Sequence, residues 1–120
     1  MAHYVDGFVV PVPKGKLEAY RHMAEECGKI WKEHGALEFR ECVGEDLKTT
    51  WGVPFTKIIK LKPGETVMFS FIVYRSRAHR DRVNAKVMKD ERLTKQMAKA
   101  KMPFDVKRMV FGGFETLVDL

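Results

Sequence analysis

Asp6 sits between Tyr4-Val5 and Phe8-Val9, in a stretch rich in β-branched and aromatic residues. A carboxylate in the middle of such a strand must find a partner or shift its pKa. Paired across a sheet with Arg108 or Arg40, it stays ionised with a lowered pKa, which suits binding and register. Unpaired in an apolar cleft, its pKa rises and it can give or take a proton. Glu115 poses the same question near the other end of the chain. Ser70 and Tyr74 are the hydroxyls of an otherwise apolar run, and Asp105, Lys107 and Arg108 cluster at a break rich in loop signals, where binding groups often sit. Trp51, in an irregular segment, could wall a pocket or simply pack.

Other chemistries lack their patterns. His3, His22, His34 and His79 have no spacing that a metal site demands, and no two cysteines stand two residues apart. Gly112 and Gly113 fall in a strand pattern with no helix after them, so no phosphate-cradling loop is formed. Neither a metal nor another cofactor is expected. Cys27 and Cys42 are too few for a disulfide framework and are expected as reduced, mostly buried thiols.

The elements that must position these groups fit one domain over residues 1–120, since 120 residues with 45% apolar composition supply a single core. No apolar run approaches the ~20 residues that cross a bilayer. The opening His3-Tyr4-Val5-Asp6 has no signal-peptide pattern, so a cytoplasmic protein is expected. Residues 75–108 hold twelve Lys or Arg against four acids, a local balance of +8 within a net +6. Such a face can hold phosphates, but Phe104 is the only aromatic among them, so nucleic acid is not the expected partner.

Hydrophobic periodicity predicts a strand over Tyr4–Val10 that ends at Pro11 and Pro13. A helix follows over Lys16–His34, with Leu17, Tyr20, Ala24, Cys27 and Trp31 in one stripe and Gly35 as its stop. Leu37–Val43 alternates Leu37, Phe39, Glu41 and Val43 against Glu38, Arg40 and Cys42, a half-buried strand. A connection with a short strand at Thr56–Leu61 leads to a near-continuous apolar strand ending at Tyr74. Ser76 caps a helix carrying Val83 and Val87, which restarts near Asp90 and reaches Ala100. Met102–Asp105 breaks it, and Met109–Val118 forms a last strand whose paired glycines signal a bulge or close backbone approach.

The order β-α-β-β-α-β is the split βαβ of a ferredoxin-like α+β fold: a four-stranded antiparallel sheet with both helices on one face. In the third strand Phe69, Phe71 and Val73 lie on one side and Met68, Ile72 and Tyr74 on the other. One apolar set therefore faces water unless a second copy covers it, and a homodimer with sheets facing is expected, with Phe69, Phe71, Met68 and Ile72 as contact candidates.

The residues also resemble a known family. The opening Tyr4-Val5-Asp6-Gly7-Phe8-Val9, the central Gly35-Ala36-Leu37 before Glu41-Cys42, and the closing Met102-Pro103-Phe104-Asp105-Val106-Lys107-Arg108-Met109 run into Gly112-Gly113-Phe114-Glu115 are similar to the YbaA-like family of small bacterial proteins of unknown function. The resemblance covers nearly the whole chain. It implies the dimeric α/β-barrel superfamily, whose members include antibiotic-biosynthesis monooxygenases, haem-degrading enzymes and stress-response barrels that hold ligands between the sheet and its helices. The haem-degrading members use an Asn on the first strand, a Trp on the third and a His on the next helix. Here Asp6 and His79 stand near the first and last of these positions, and strand three offers Phe69 and Phe71 in place of Trp.

If Gly7 lets the Val5, Gly7, Val9 side pack under the helices, then Tyr4, Asp6 and Phe8 turn to the open face, inside the barrel. The expected ligand site is then Asp6, Phe8, Ser70, Tyr74 and Arg108, taking a small polar or anionic organic molecule. The rival readings are a nucleic-acid-associated protein using the basic segment 75–108 and a structural or regulatory dimer without ligand.

Overall fold

The computed structural model describes residues 2–98 and 102–120. Its strands are β1 (Tyr4–Pro13), β2 (Glu38–Val43), β3 (Glu65–Tyr74) and β4 (Val110–Glu115), and its helices α1 (Leu17–Glu33), α2 (Phe55–Ile58), α3 (Arg77–Met88) and α4 (Glu91–Ala98). Short 3₁₀ turns precede α1 and β4. The sheet is antiparallel in the order β2-β3-β1-β4, the ferredoxin-like arrangement expected of this element order.

Local chemistry explains the boundaries. Gly35 at φ +117° closes α1, and Ala36 N–H then returns to the Trp31 carbonyl at 3.0 Å. The Ser76 hydroxyl caps α3 by accepting the His79 N–H at 3.1 Å. Asp90 accepts the Arg92 N–H at 2.9 Å at the start of α4. The expected helix end at Ala100 lies outside the described residues.

Three sequence expectations change. β1 continues through Pro11 to Pro13, paired with β3 as far as Glu65. Lys14 N–H points to Gly64 on the β3 side and the His3 carbonyl accepts from Thr116 on the β4 side, so odd residues of β1 turn their polar groups toward β4. Since β4 ends at Val110 opposite Val9, no ladder donor is asked of either proline. Residues 56–61 do not form a strand. Phe55–Ile58 is a single helical turn, and Phe55 lies edge-on to Phe69 at 6.2 Å, over a sheet face where no ladder is open to it. β4 stops at Glu115, and its glycines pair in unbroken register, Gly112 with Gly7 and Gly113 with Asp6. A Cβ on Gly113 would collide with the Tyr4 ring, so these residues serve close approach rather than a bulge.

The largest correction concerns faces. Tyr4, Asp6, Phe8, Val10 and Val12 point at the helices, not at the open face. Tyr4 and Phe8 pack on the core of Ile30, Ile72, Tyr74, Val83, Val87 and Leu93, while Val10 and Val12 meet Tyr20 and Ala24 of α1. Gly7 lies on the open face, where a Cβ would stand 3.5 Å from the Phe114 ring, an ordinary contact, so it seats no helix. The glycine that seats a helix is Gly28 of α1, whose Cβ would come within 2.7 Å of the Phe39 ring. Met68 and Ile72 are buried beneath the helices as well, leaving Phe69, Val110 and Phe114 exposed on the other side.

Candidate functional site

Between the helix face of the sheet, α1, α4 and the 102–109 segment lies a cleft of about 660 Å³. Its walls are almost entirely apolar. Phe8, Val10 and Ile72 form the floor, Tyr20, Cys27 and Trp31 project from α1, and Leu93 and Phe104 close the far side. Met23, Met88, Met97, Met102 and Met109, five of the seven methionines, also line it. Methionine is unbranched and polarizable, so a wall built from it adapts to occupants of different shape. A second hollow, about 970 Å³, runs along the outer flank of α1 beside β2. Its rim is charged and self-paired, Arg21 bonding Glu18 and Glu25.

Glu41 sits at the junction of the two hollows. The β2–β3 register sets it opposite Ser70, and α1 brings Tyr20 above it. Tyr20 Oη donates to Glu41 Oε1 at 2.8 Å, and Ser70 Oγ donates to the same oxygen. Oε2 receives no side-chain hydrogen bond among the described residues, and it is not sealed from solvent. No cation of the described residues lies within ion-pair distance. Arg40, on the rim of the cleft, is bonded to Glu38 at 3.0 Å instead. Burial pushes the Glu41 carboxyl above its ordinary range, opposed by the bonds from Ser70 and Tyr20. Burial likewise raises Tyr20 and Cys27, with Glu41 adding to both, so Cys27 is a thiol rather than a nucleophilic thiolate.

The residues predicted from sequence divide among three places. Phe8 and Ser70 line the cleft. Asp6 and Tyr74 belong to a separate polar network under α3. Asp6 is 1% exposed and accepts from Arg80 Nη1 at 2.7 Å. Arg80 also bonds Asp81 at 2.8 Å and lies 4.9 Å above the Tyr4 ring. Asn84 Oδ1 accepts from Tyr74 Oη at 3.2 Å and Trp31 Nε1 at 3.1 Å. Burial raises the Asp6 carboxyl, and Arg80, Asn84 and Tyr74 oppose it. Arg108 stands apart, bonded to Glu65 at 2.7 and 2.8 Å and to the Lys60 carbonyl at 2.7 Å, and it pulls the Glu65 carboxyl down to about 2. The expected pairing of Asp6 with Arg108 or Arg40 is therefore replaced by Asp6 with Arg80, because Asp6 faces the helices.

The remaining candidates have structural surroundings. His79 is buried with Nδ1 accepting the Arg75 N–H at 2.9 Å. Asp105 caps the 3₁₀ turn at Val106–Arg108, Trp51 is 92% exposed, and Glu115 is exposed. Cys42 is exposed rather than buried, because its set in β2 faces away from the helices. Glu41 was missed as a site residue although its signal was present: it is the one acid in the inward set Leu37, Phe39, Glu41, Val43.

Residues 3–106 match the family described as Protein of unknown function (DUF1428). Uncharacterized protein YbaA of Escherichia coli K12 is 45% identical over 116 residues, covering 97% of each chain, and YbaA of Shigella flexneri matches equally. This chain belongs to the DUF1428 family. Among solved structures, a dimeric ferredoxin-like protein from an uncultured marine organism covers 100% of both chains with a TM-score of 0.60 at 12% identity. That likeness concerns the fold of the DUF1428 chain, and its α+β, ferredoxin-like class agrees with the sheet order found here. Among the described residues, no helix is long and apolar enough to cross a membrane.

Proposed function

We propose that this DUF1428 protein binds a small, largely apolar organic molecule in the cleft between sheet and helices, with Glu41 orienting its polar group. The observation that carries the reading is a roomy apolar cleft whose polar end is a carboxylate with an oxygen left unbonded by side chains among the described residues. A pocket of this kind, apolar with few convergent polar groups, is the usual form of a small-molecule site. An anionic ligand rested on Arg108 reaching the site, and Arg108 is engaged by Glu65, so the preference moves to an apolar molecule. Phe8 and Ser70 remain in the site from the sequence-based set. Native mass spectrometry of the gently purified protein tests the reading. A retained apolar small molecule displaced by Glu41→Gln or by Ala24→Trp is the expected result, and a cleft that takes up no hydrophobic probe refutes it.

The same reading includes a homodimer. Phe69, Val110 and Phe114 are 44%, 54% and 63% exposed on the open sheet face, a patch a second copy could cover. The marine ferredoxin-like protein is described as dimeric. Light scattering at micromolar concentration should return twice the chain mass, and Phe69→Lys should lower it. A stable monomer there refutes the dimer.

A further inference from the structure

Resting on the ligand cleft proposed above, we infer that its ligand is a hydrophobic amine whose protonated nitrogen pairs with Oε2 of Glu41. A buried carboxylate in a folded protein is ordinarily balanced by a cation. The contrast within this chain is sharp. Asp6 has Arg80 at 2.7 Å, Glu65 has Arg108 at 2.7 Å, and Asp90 has both Arg92 and His34 at 2.8 Å. Among the described residues, Glu41 alone of the half-buried or buried acids has neutral partners only, and both of them donate to one oxygen. Arg40, the cation nearest along the chain, is held by Glu38.

The surroundings of Glu41 suit a cation that arrives on an apolar body. Tyr20 bonds Glu41, Phe39 lies two residues before it on the same face of β2, and Trp31 lines the cleft 6.2 Å from the Phe39 ring, and ring faces attract an ammonium group that has left water. Beyond them the methionine wall accepts an alkyl or aryl body without demanding one shape. The amine would thus restore the charge balance that Glu41 lacks, while its body fills the hollow. An anion would meet the carboxylate with the one cation at the rim among the described residues, Arg40, already held by Glu38, and a neutral alcohol would gain one hydrogen bond without charge.

Three probes of equal length separate these cases: n-octylamine, 1-octanol and octanoate, titrated calorimetrically into the full-length protein at pH 7. Trp51→Phe leaves Trp31 as the single tryptophan, so its fluorescence reports whether a probe enters the cleft. The amine is expected to bind about tenfold or more tighter than the alcohol, as a charge-assisted bond exceeds a neutral one, with octanoate weakest. Glu41→Gln keeps an acceptor for Tyr20 and Ser70 and should reduce the amine's advantage to about threefold or less. Octanol binding as tightly as octylamine, octanoate binding tightest, or an amine advantage that survives Glu41→Gln overturns the amine assignment while leaving a ligand cleft in place. Failure of all three probes to bind removes the cleft reading itself. The ranking in the wild-type protein decides the matter even if the Gln variant folds poorly.

Discussion

Removing Arg80 should damage this protein far more than removing the charge of its partner Asp6. The Asp6 side chain is 2% exposed and that of Arg80 14%. Arg80→Met leaves an ionised carboxylate buried with only Asn84 and Tyr74 nearby, and breaking a buried pair in this way costs about 3–5 kcal/mol. For 120 residues the unfolding entropy is roughly 0.25 kcal/mol/K. The loss therefore corresponds to a fall in Tm of about 12–20 °C. Asp6→Asn keeps the shape and leaves Arg80 bonded to Asp81 at 2.8 Å, so about 1–2 kcal/mol, or about 4–8 °C, is expected. The two variants also differ in pH dependence. Without Arg80, desolvation acts on Asp6 unopposed by a cation, and its folded-state pKa rises further above the unfolded value. A group with a raised folded pKa holds its proton more tightly when folded, so stability falls as pH rises through the unfolded value toward the folded one. The deficit of Arg80→Met relative to wild type should thus be full at pH 7.5 and shrink as the pH approaches about 4. Urea melts of both variants at the two pH values provide the measurement. Equal losses for the two substitutions, or an Arg80→Met deficit that does not change with pH, would refute the reasoning.

Glu41→Gln should leave the protein at least as stable as wild type at pH 7.5, because it removes a half-buried charge that has no cationic partner among the described residues while keeping an acceptor for Tyr20 and Ser70. Since burial raises Glu41 in the folded state, any gain should fade as the pH falls through that raised folded value and be gone by its unfolded pKa of about 4.3, which thermal melts from pH 7.5 down to that value will show. Gly28→Ala gains about 1 kcal/mol of helix propensity but drives a methyl to 2.7 Å from the Phe39 ring. Overpacking of this kind costs about 1–3 kcal/mol, so a net fall in Tm of up to about 8 °C is expected, together with weaker octanol binding because Phe39 lines the cleft. Arg75, Arg77 and Arg82 are the three arginines without an ion pair among the described residues. They lack stacking partners for bases, so any duplex DNA binding in a gel shift should be lost by about 0.3 M salt, and a sequence-defined complex that survives would contradict this.

The fold was legible because it depends on periodicity, which the sequence carries locally. The α1 stripe of Leu17, Tyr20, Ala24, Cys27 and Trp31, the alternation in β2 and the continuous apolar run of β3 each name an element without reference to the rest. What failed was the choice of face. Gly7 carries no label saying whether it faces a helix or a ring from the next strand. Phe114, the ring beside it, stands 107 positions away in sequence and meets it only through the β1–β4 register. From that one choice came the wrong partner for Asp6, since Arg80 lies on α3 and can reach only the helix side of β1.

Asp6 and Glu41 also show why a single feature is a poor guide to a site. Both are acids in apolar strand contexts, and both have carboxyls pushed up by burial. They differ in what surrounds them once folded. Asp6 has a guanidinium and polar neighbours that are bonded to one another, so it completes a structural network. Glu41 has neutral donors on one oxygen and a cleft of about 660 Å³ beside it. A paired acid has its interaction already supplied by the chain. An acid without a counter-charge, placed where a molecule can reach it, leaves that interaction to be made by something the chain does not contain.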